Sequence, residues 1–252
     1  MRTTLLRKFV RFQARLCEAF DRLLPPEFLV DGNMHFQREF VPGFIKNGML
    51  VYDMGGGKNP LISRTCKVER NLRVYGLDID LKELSSAPEG TYDGVKCADI
   101  AQYQGNADAE LVICQSLLEH VKDIEGAFAS ISSALKGGGI ALLFVPSRNA
   151  AYARLNLLIP RWLKRWLLFT IFPERRRDQG FPAYYRRCTP KDFRRLAGRF
   201  GLKVLEVKPY FMSSYFSFLF PLYVAWRLWV LFFRYVRGEQ AAETFSMALM
   251  KV

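Results

Sequence analysis

Residues 51–60, Val51-Tyr52-Asp53-Met54-Gly55-Gly56-Gly57-Lys58-Asn59-Pro60, carry the most specific chemistry in the chain. An apolar run enters a turn of three glycines, and a turn without β-carbons lets the backbone approach a bound nucleotide closely. By itself such a run is only a tight turn. It gains meaning from Asp78, which closes the next apolar run, Val74-Tyr75-Gly76-Leu77. An acid at that distance can accept hydrogen bonds from ribose hydroxyls. The chain has two histidines. His120 ends a second notable run, Cys114-Gln115-Ser116-Leu117-Leu118-Glu119-His120, and is a candidate general base for an acceptor with an acidic proton. Its alternative reading is structural, with the Glu119-His120 pair anchoring a strand-to-helix turn. His35, beside Asp31 and Asn33, reads as a loop contact rather than a catalyst.

Elements that could position these groups follow from apolar spacing. Short apolar runs at 49–53, 73–78, 94–98, 110–115, 139–145, 203–209 and 244–251 read as strands, and 61–71, 123–135 and 190–200 read as helices. Strands alternating with helices predict an α/β fold with a mostly parallel sheet covered on both faces. Residues 4–24 repeat Leu5, Leu6, Phe9, Phe12, Leu16, Phe20, Leu23 and Leu24 at helical spacing, and Pro25-Pro26 ends that helix.

Read together, these runs resemble class I S-adenosylmethionine-dependent methyltransferases. Asp53, Gly55 and Gly57 match the first motif of that family, while Asn59 stands where a third glycine is usual. Asp78 matches the family's ribose acid, and Ala98-Asp99-Ile100 resembles the element that meets adenine. The run 114–121 resembles the strand end facing the methyl donor, and Leu135-Lys136-Gly137-Gly138-Gly139 with 140–146 resembles the turn and strand that come next. The resemblance covers 49–149. It implies S-adenosyl-L-methionine as cofactor, held by Asp53, Gly55, Gly56, Gly57, Asp78, Ile79, Asp99, Ile100, Gln115 and Ser116, with His120 as the catalytic candidate. It also implies a Rossmann-like sheet of seven strands with the last antiparallel. A dehydrogenase competes for the glycine turn, but Leu-Glu-His-Val and Leu-Lys-Gly-Gly-Gly fit the methyltransferase pattern. Some quinone-pathway O-methyltransferases build a metal site with a carboxylate three residues before the glutamate; here Ser116 occupies that position, so no metal is expected.

A chain of 252 residues fits one such domain. Residues 1–45 read as a helical cap, 46–149 as the cofactor-binding core, and 150–189 and 210–243 as insertions on the acceptor side. The net charge of +13 is uneven: between Arg154 and Lys208, fifteen Lys and Arg face four acids. That excess predicts an anionic neighbour. Residues 152–172 mix Trp, Leu and Arg/Lys, and 211–236 are apolar and aromatic, with only Arg227 and Arg234 charged. A crossing needs ~20 apolar residues. Residues 215–233 nearly qualify, but one crossing would strand 244–251 on the wrong side of the bilayer. Trp162, Trp166, Trp226 and Trp229 with Arg161, Lys164, Arg165 and Arg227 instead suit helices lying in a membrane interface. An extra hydrophobic layer or a dimer surface is the alternative. The sequence therefore predicts methyl transfer to an amphiphilic or lipid-linked acceptor at an anionic membrane surface. A soluble metabolite, RNA bound through Arg175-Arg176-Arg177 and Arg186-Arg187, and a non-catalytic cofactor-binding role are the alternatives. No RRM or KH signature favours nucleic acid. Five scattered cysteines without metal spacing, and basic residues 7, 8, 11 and 15 breaking any signal-peptide core, predict a cytoplasmic protein peripheral to the membrane.

Overall fold

The computed structural model describes residues 2–158, 181–212 and 216–252, with side chains of the first helix from Lys8 onward. The strands are β1 (Leu50–Met54), β2 (Arg73–Asp78), β3 (Gly94–Cys97), β4 (Ala109–Gln115), β5 (Leu135–Pro146), β6 (Leu202–Tyr210) and β7 (Thr244–Lys251). They form one sheet in the order β3-β2-β1-β4-β5-β7-β6. The first five run parallel, and β7 lies antiparallel between β5 and β6. Each strand falls on an apolar run identified in the sequence, and the expected Rossmann-like architecture is present.

Central strands are apolar on both faces because both faces are covered. In β4, Val112 and Cys114 join one core layer and Leu111 and Ile113 the other, all four fully buried. On the first face lie the helices Ile124–Ala134 and Pro190–Arg199. There Phe128 meets Phe193 edge-on at 5.0 Å, and Phe193 meets Phe245 at 5.3 Å. The second face is covered by the turn Phe36–Phe40, whose Phe36 packs on Phe144 at 5.5 Å. Fully burying one such side chain contributes about 1.5–3 kcal/mol.

Two boundaries differ from the sequence reading. The glycine run 135–139, expected as a turn, belongs to β5. Leu135 pairs with Ala109 and Ile140 with Leu111, so the extra residues form a bulge at which Gly138 takes φ +76°. The helix expected over 61–71 runs only Arg64–Glu69, because the Ser63 hydroxyl accepts the Cys66 N–H at 3.2 Å and caps it there.

A third cluster joins the N-terminal helix (Arg2–Asp21) to the helix Phe220–Arg237. Its centre is Arg227, 0 % exposed. Arg227 Nε donates to Asp21 at 2.9 Å, Nη1 to the Phe211 carbonyl at 2.6 Å and Nη2 to the Phe28 carbonyl at 2.7 Å. The Tyr223 hydroxyl completes Asp21 at 2.5 Å. Satisfying the guanidinium on three sides offsets the cost of taking a charge out of water. Trp226, 5 % exposed, is buried beside it. The interfacial role expected for Trp226 and Arg227 is therefore corrected: helical spacing turns both inward, where Asp21 supplies a partner the local sequence does not reveal. Trp229 and Phe232 remain more than half exposed, at 53 % and 59 %. The expectations for Arg161, Trp162, Lys164, Arg165, Trp166 and Arg175-Arg176-Arg177 lie outside the described residues. Among the described residues no helix is long and apolar enough to cross a membrane.

Candidate active site

The connection from β1 turns toward β2 and that from β4 toward β5, so a crevice opens between them at their carboxyl ends. Ligands of open α/β sheets bind at such a switch point. A cavity of about 570 Å³ lies there. Its walls come from Gly55 after β1, Leu77 to Ile79 at the end of β2, Ala98 to Gln102 after β3, and Ser116, Leu117 and His120 to Asp123 after β4. Phe181, Pro182 and Tyr184 close it.

Asp53 carries the turn rather than the cavity wall. Its buried Oδ2 accepts the Leu61 N–H at 3.0 Å and the Tyr92 hydroxyl at 3.3 Å. Burial pushes its carboxyl up to about 6 against those hydrogen bonds. Gly56 is the residue that admits this packing: a β-carbon there would sit 2.5 Å from Asp53 Oδ2 and from the Tyr92 hydroxyl. Gly55 takes φ +82°, and its β-carbon would press on Leu117 at 2.8 Å. Gly57, at φ +49°, faces Asp78 Oδ2 at 3.3 Å from the same imaginary atom. Both turn glycines thus let the turn pack closely, Gly55 against Leu117 and Gly57 against Asp78, with positive φ that other residues rarely adopt.

Asp78 is half-buried, and burial raises its carboxyl above the ordinary value. Its Oδ1 accepts the Asp80 N–H at 3.0 Å, which aims the side chain at the turn. Ile79 is 58 % exposed along the same rim. Asp99 accepts the Ala101 N–H at 2.9 Å and, with Ile100, forms the next wall. Ser116 has φ +51°, a left-handed conformation costing a non-glycine residue about 1–2 kcal/mol, and it bends the chain away at the end of β4. Its N–H donates to the Phe144 carbonyl at 2.9 Å. Gln115 instead turns from the cavity, and its amide donates to Asn33 at 2.5 Å. The structure therefore gathers Gly55, Asp78, Ile79, Asp99, Ile100, Ser116 and His120 around one cavity. It sets Asp53, Gly56, Gly57 and Gln115 in the supporting shell.

His120 both lines the cavity and ties down its outer wall. Its Nδ1 lies 3.2 Å from the Pro182 carbonyl. A carbonyl only accepts, so Nδ1 carries the hydrogen and Nε2 the lone pair. Burial lowers the imidazole pKa, with the carbonyls of Pro182 and Phe181 opposing. Glu119 is 4 % exposed, and burial pushes its carboxyl up to about 8. Its Oε1 stands 3.7 Å from Nε2, beyond hydrogen-bond reach. Burial thus biases both groups toward their neutral forms. The Glu119 carbonyl holds the Tyr184 and Tyr185 N–H groups at 2.7 and 3.0 Å, fixing the closing segment. Tyr92, Phe181 and Tyr184 escaped the sequence reading; they lie far along the chain from the residues they contact and belong to no periodic pattern. His35, half-buried at the end of the short helix Gly32–His35, meets the Tyr210 hydroxyl at 2.8 Å.

The sequence matches the methyltransferase-domain family over residues 11–207. No curated protein matches it significantly. Its fold resembles a phosphoethanolamine N-methyltransferase 2 of Haemonchus contortus in complex with S-adenosyl-L-methionine, with a TM-score of 0.54 and 17% identity over 93% of this chain and 56% of that one. An S-adenosylmethionine-dependent methyltransferase of Mesorhizobium loti gives 0.55 and 16% identity over 88% of this chain and 98% of that one. The magnesium protoporphyrin IX methyltransferase of Synechocystis PCC 6803, with bound SAH, gives 0.53 and 18% identity over 88% and 84%. These likenesses establish the fold, and the family match establishes more: the chain belongs to the methyltransferase-domain family of S-adenosylmethionine-dependent class I enzymes.

Proposed function

We propose that this methyltransferase modifies an amphiphilic or lipid-linked acceptor at a membrane surface. When bound, S-adenosylmethionine supplies an electrophilic methyl group for in-line displacement, and the residues present suit it. Gly55, without a side chain, lines the cavity at the turn, Asp78 beside it would accept from ribose hydroxyls, and Asp99 with Ile100 would meet the adenine. His120 Nε2 is the atom that accepts the acceptor's proton, because Pro182 engages the other ring nitrogen. Positioning supplies the remainder of the rate.

The observation that carries the acceptor reading is a shared edge of the sheet. The cavity opens at the carboxyl ends of β1 and β4. β5 leaves that same edge into the helix Ala151–Leu158, where Leu155, Leu157 and Leu158 are exposed. The connection from β6 to β7, with its helix Phe220–Arg237, starts and ends there too. Apolar surface therefore lies along the sheet edge at which the cavity opens, which supports an apolar acceptor. On the basic side, Arg187 and Arg199 pair with Glu125 and Arg194 with Glu239, which leaves less charge for nucleic-acid phosphates.

The test is transfer of labelled methyl groups in extracts of cells containing or lacking the protein. Protein-dependent label should enter the organic phase; label confined to water-soluble metabolites or RNA would overturn the reading. His120→Ala should lower turnover by roughly 10²–10⁴ with cofactor affinity nearly intact. A drop of only a few-fold assigns His120 to holding Pro182.

A further inference from the structure

The helix Phe220–Arg237 has two apolar faces, and only one is used. Tyr223, Trp226, Arg227 and Val230 face inward and are buried. Leu222, Trp229, Phe232 and Val236 lie at helical spacing on the opposite side and are 41 %, 53 %, 59 % and 58 % exposed. A surface helix of a water-soluble protein carries polar residues there. This outer face carries none with charge, and the helix contains no Asp or Glu.

The N-terminal helix runs beside it in the same direction. Gln13 accepts the Phe220 N–H at 2.8 Å, Asp21 meets Arg227, and Glu27, just beyond that helix, meets Arg234 at 3.2 Å. The N-terminal helix adds exposed Phe9 and Phe12. Lys8, Arg11 and Arg15 recur on its surface at helical spacing next to Phe12, with Glu18 the one exposed acid among them. The buried Arg227–Asp21 pair locks the two helices into one platform at the edge where the cavity opens.

We infer that this platform docks on an anionic lipid bilayer, with Trp229 and Phe232 entering the interface and Lys8, Arg11 and Arg15 at the level of the headgroups. Charge complementarity selects this occupant. A second copy of this face would bring the same basic residues again, with Glu18 the one exposed acid among them and no acid on the helix Phe220–Arg237 to meet them, whereas anionic headgroups neutralise them. The inference deepens the reading of a membrane-borne acceptor by naming the surface that meets the membrane. It also separates the apolar residues that touch lipid from Trp226, which does not.

The experiment is co-sedimentation of the full chain with vesicles of phosphatidylcholine alone and of phosphatidylcholine with phosphatidylserine. The wild type should bind both, and the phosphatidylserine vesicles more tightly. Trp229→Ser with Phe232→Ser should weaken partition to both by at least about tenfold, with S-adenosylhomocysteine affinity unchanged as proof of folding. Replacing Lys8, Arg11 and Arg15 by Glu should remove only the phosphatidylserine-dependent part. Three results would overturn the inference: wild type that binds neither vesicle, vesicle binding unchanged in the aromatic variant, or a soluble dimer that the aromatic variant dissolves while vesicle binding is absent. Lipid-phase label without docking would discard the platform and keep the acceptor reading. Docking with label only in soluble products would do the reverse.

Discussion

At the cavity, all shaping groups but Phe181, Pro182 and Tyr184 come from the ends of four neighbouring strands, each within a few residues of its own glycine, acid or cap. At the two-helix platform they come from opposite ends of the chain: Arg227 and Asp21 are 206 residues apart. The first region is assembled from local signals and repeated by topology. The second depends on one charged contact between a helix that precedes β1 and a helix that lies between β6 and β7. The difference teaches that a ligand site can be encoded piecewise, while the surface that presents it to a partner is encoded by tertiary burial.

The sharpest way to break that comparison is Arg227→Met. It leaves Asp21 buried without its charge partner and frees the Phe28 and Phe211 carbonyls, so unfolding in denaturant should show a loss of about 3–5 kcal/mol. Cofactor affinity of the folded fraction should stay near that of the wild type; a parallel loss would mean the two regions are one unit. Glu119→Gln comes next and is read against pH. A carboxyl whose folded pKa, about 8, lies above its ordinary 4.5 holds its proton more tightly in the folded state. Wild-type stability therefore falls through that interval as pH rises, because the unfolded state ionises while the folded state keeps the carboxyl neutral. The variant escapes this cost. Its stability relative to wild type should climb by up to about 1.4 kcal/mol per pH unit between 4.5 and 8, and a flat difference would refute the buried neutral carboxyl.

Asp78→Asn should weaken S-adenosylhomocysteine binding by about 1.5–3 kcal/mol, through loss of charge-assisted hydrogen bonds, with little change in melting temperature. Calorimetric titration reads the first and a thermal scan the second. The smallest effect is Ser63→Ala, which removes the cap of the helix after the glycine turn and should cost about 1 kcal/mol of stability. A cost rivalling that of Arg227→Met would erase the contrast between local and distant construction.

The strands were legible because apolar runs of the right length report burial on both sheet faces, and Asp78 and Gly55 were legible because their roles are set within one strand-turn-helix unit. Asp53 and Gln115 show where that stops. Both sit in the motifs that suggested the cofactor, yet Asp53 is spent on Leu61 and Tyr92, and Gln115 on Asn33. Nothing within a few residues of either encodes those partners. Trp226 and Trp229, three positions apart, look alike in sequence, yet one is 5 % and the other 53 % exposed, because the packed side of the helix, centred on the Arg227–Asp21 contact, covers the first and not the second.

The Arg227–Asp21 contact also sets an order of events during synthesis. A ribosome adding about 5–20 residues per second needs roughly 10–40 s to travel from the codon for Asp21 to that for Arg227. During that interval the first helix emerges with Phe9, Phe12, Lys8, Arg11 and Arg15 available and its locking partner still unmade. The nascent chain thus offers this amphipathic helix to the cell before the enzyme exists.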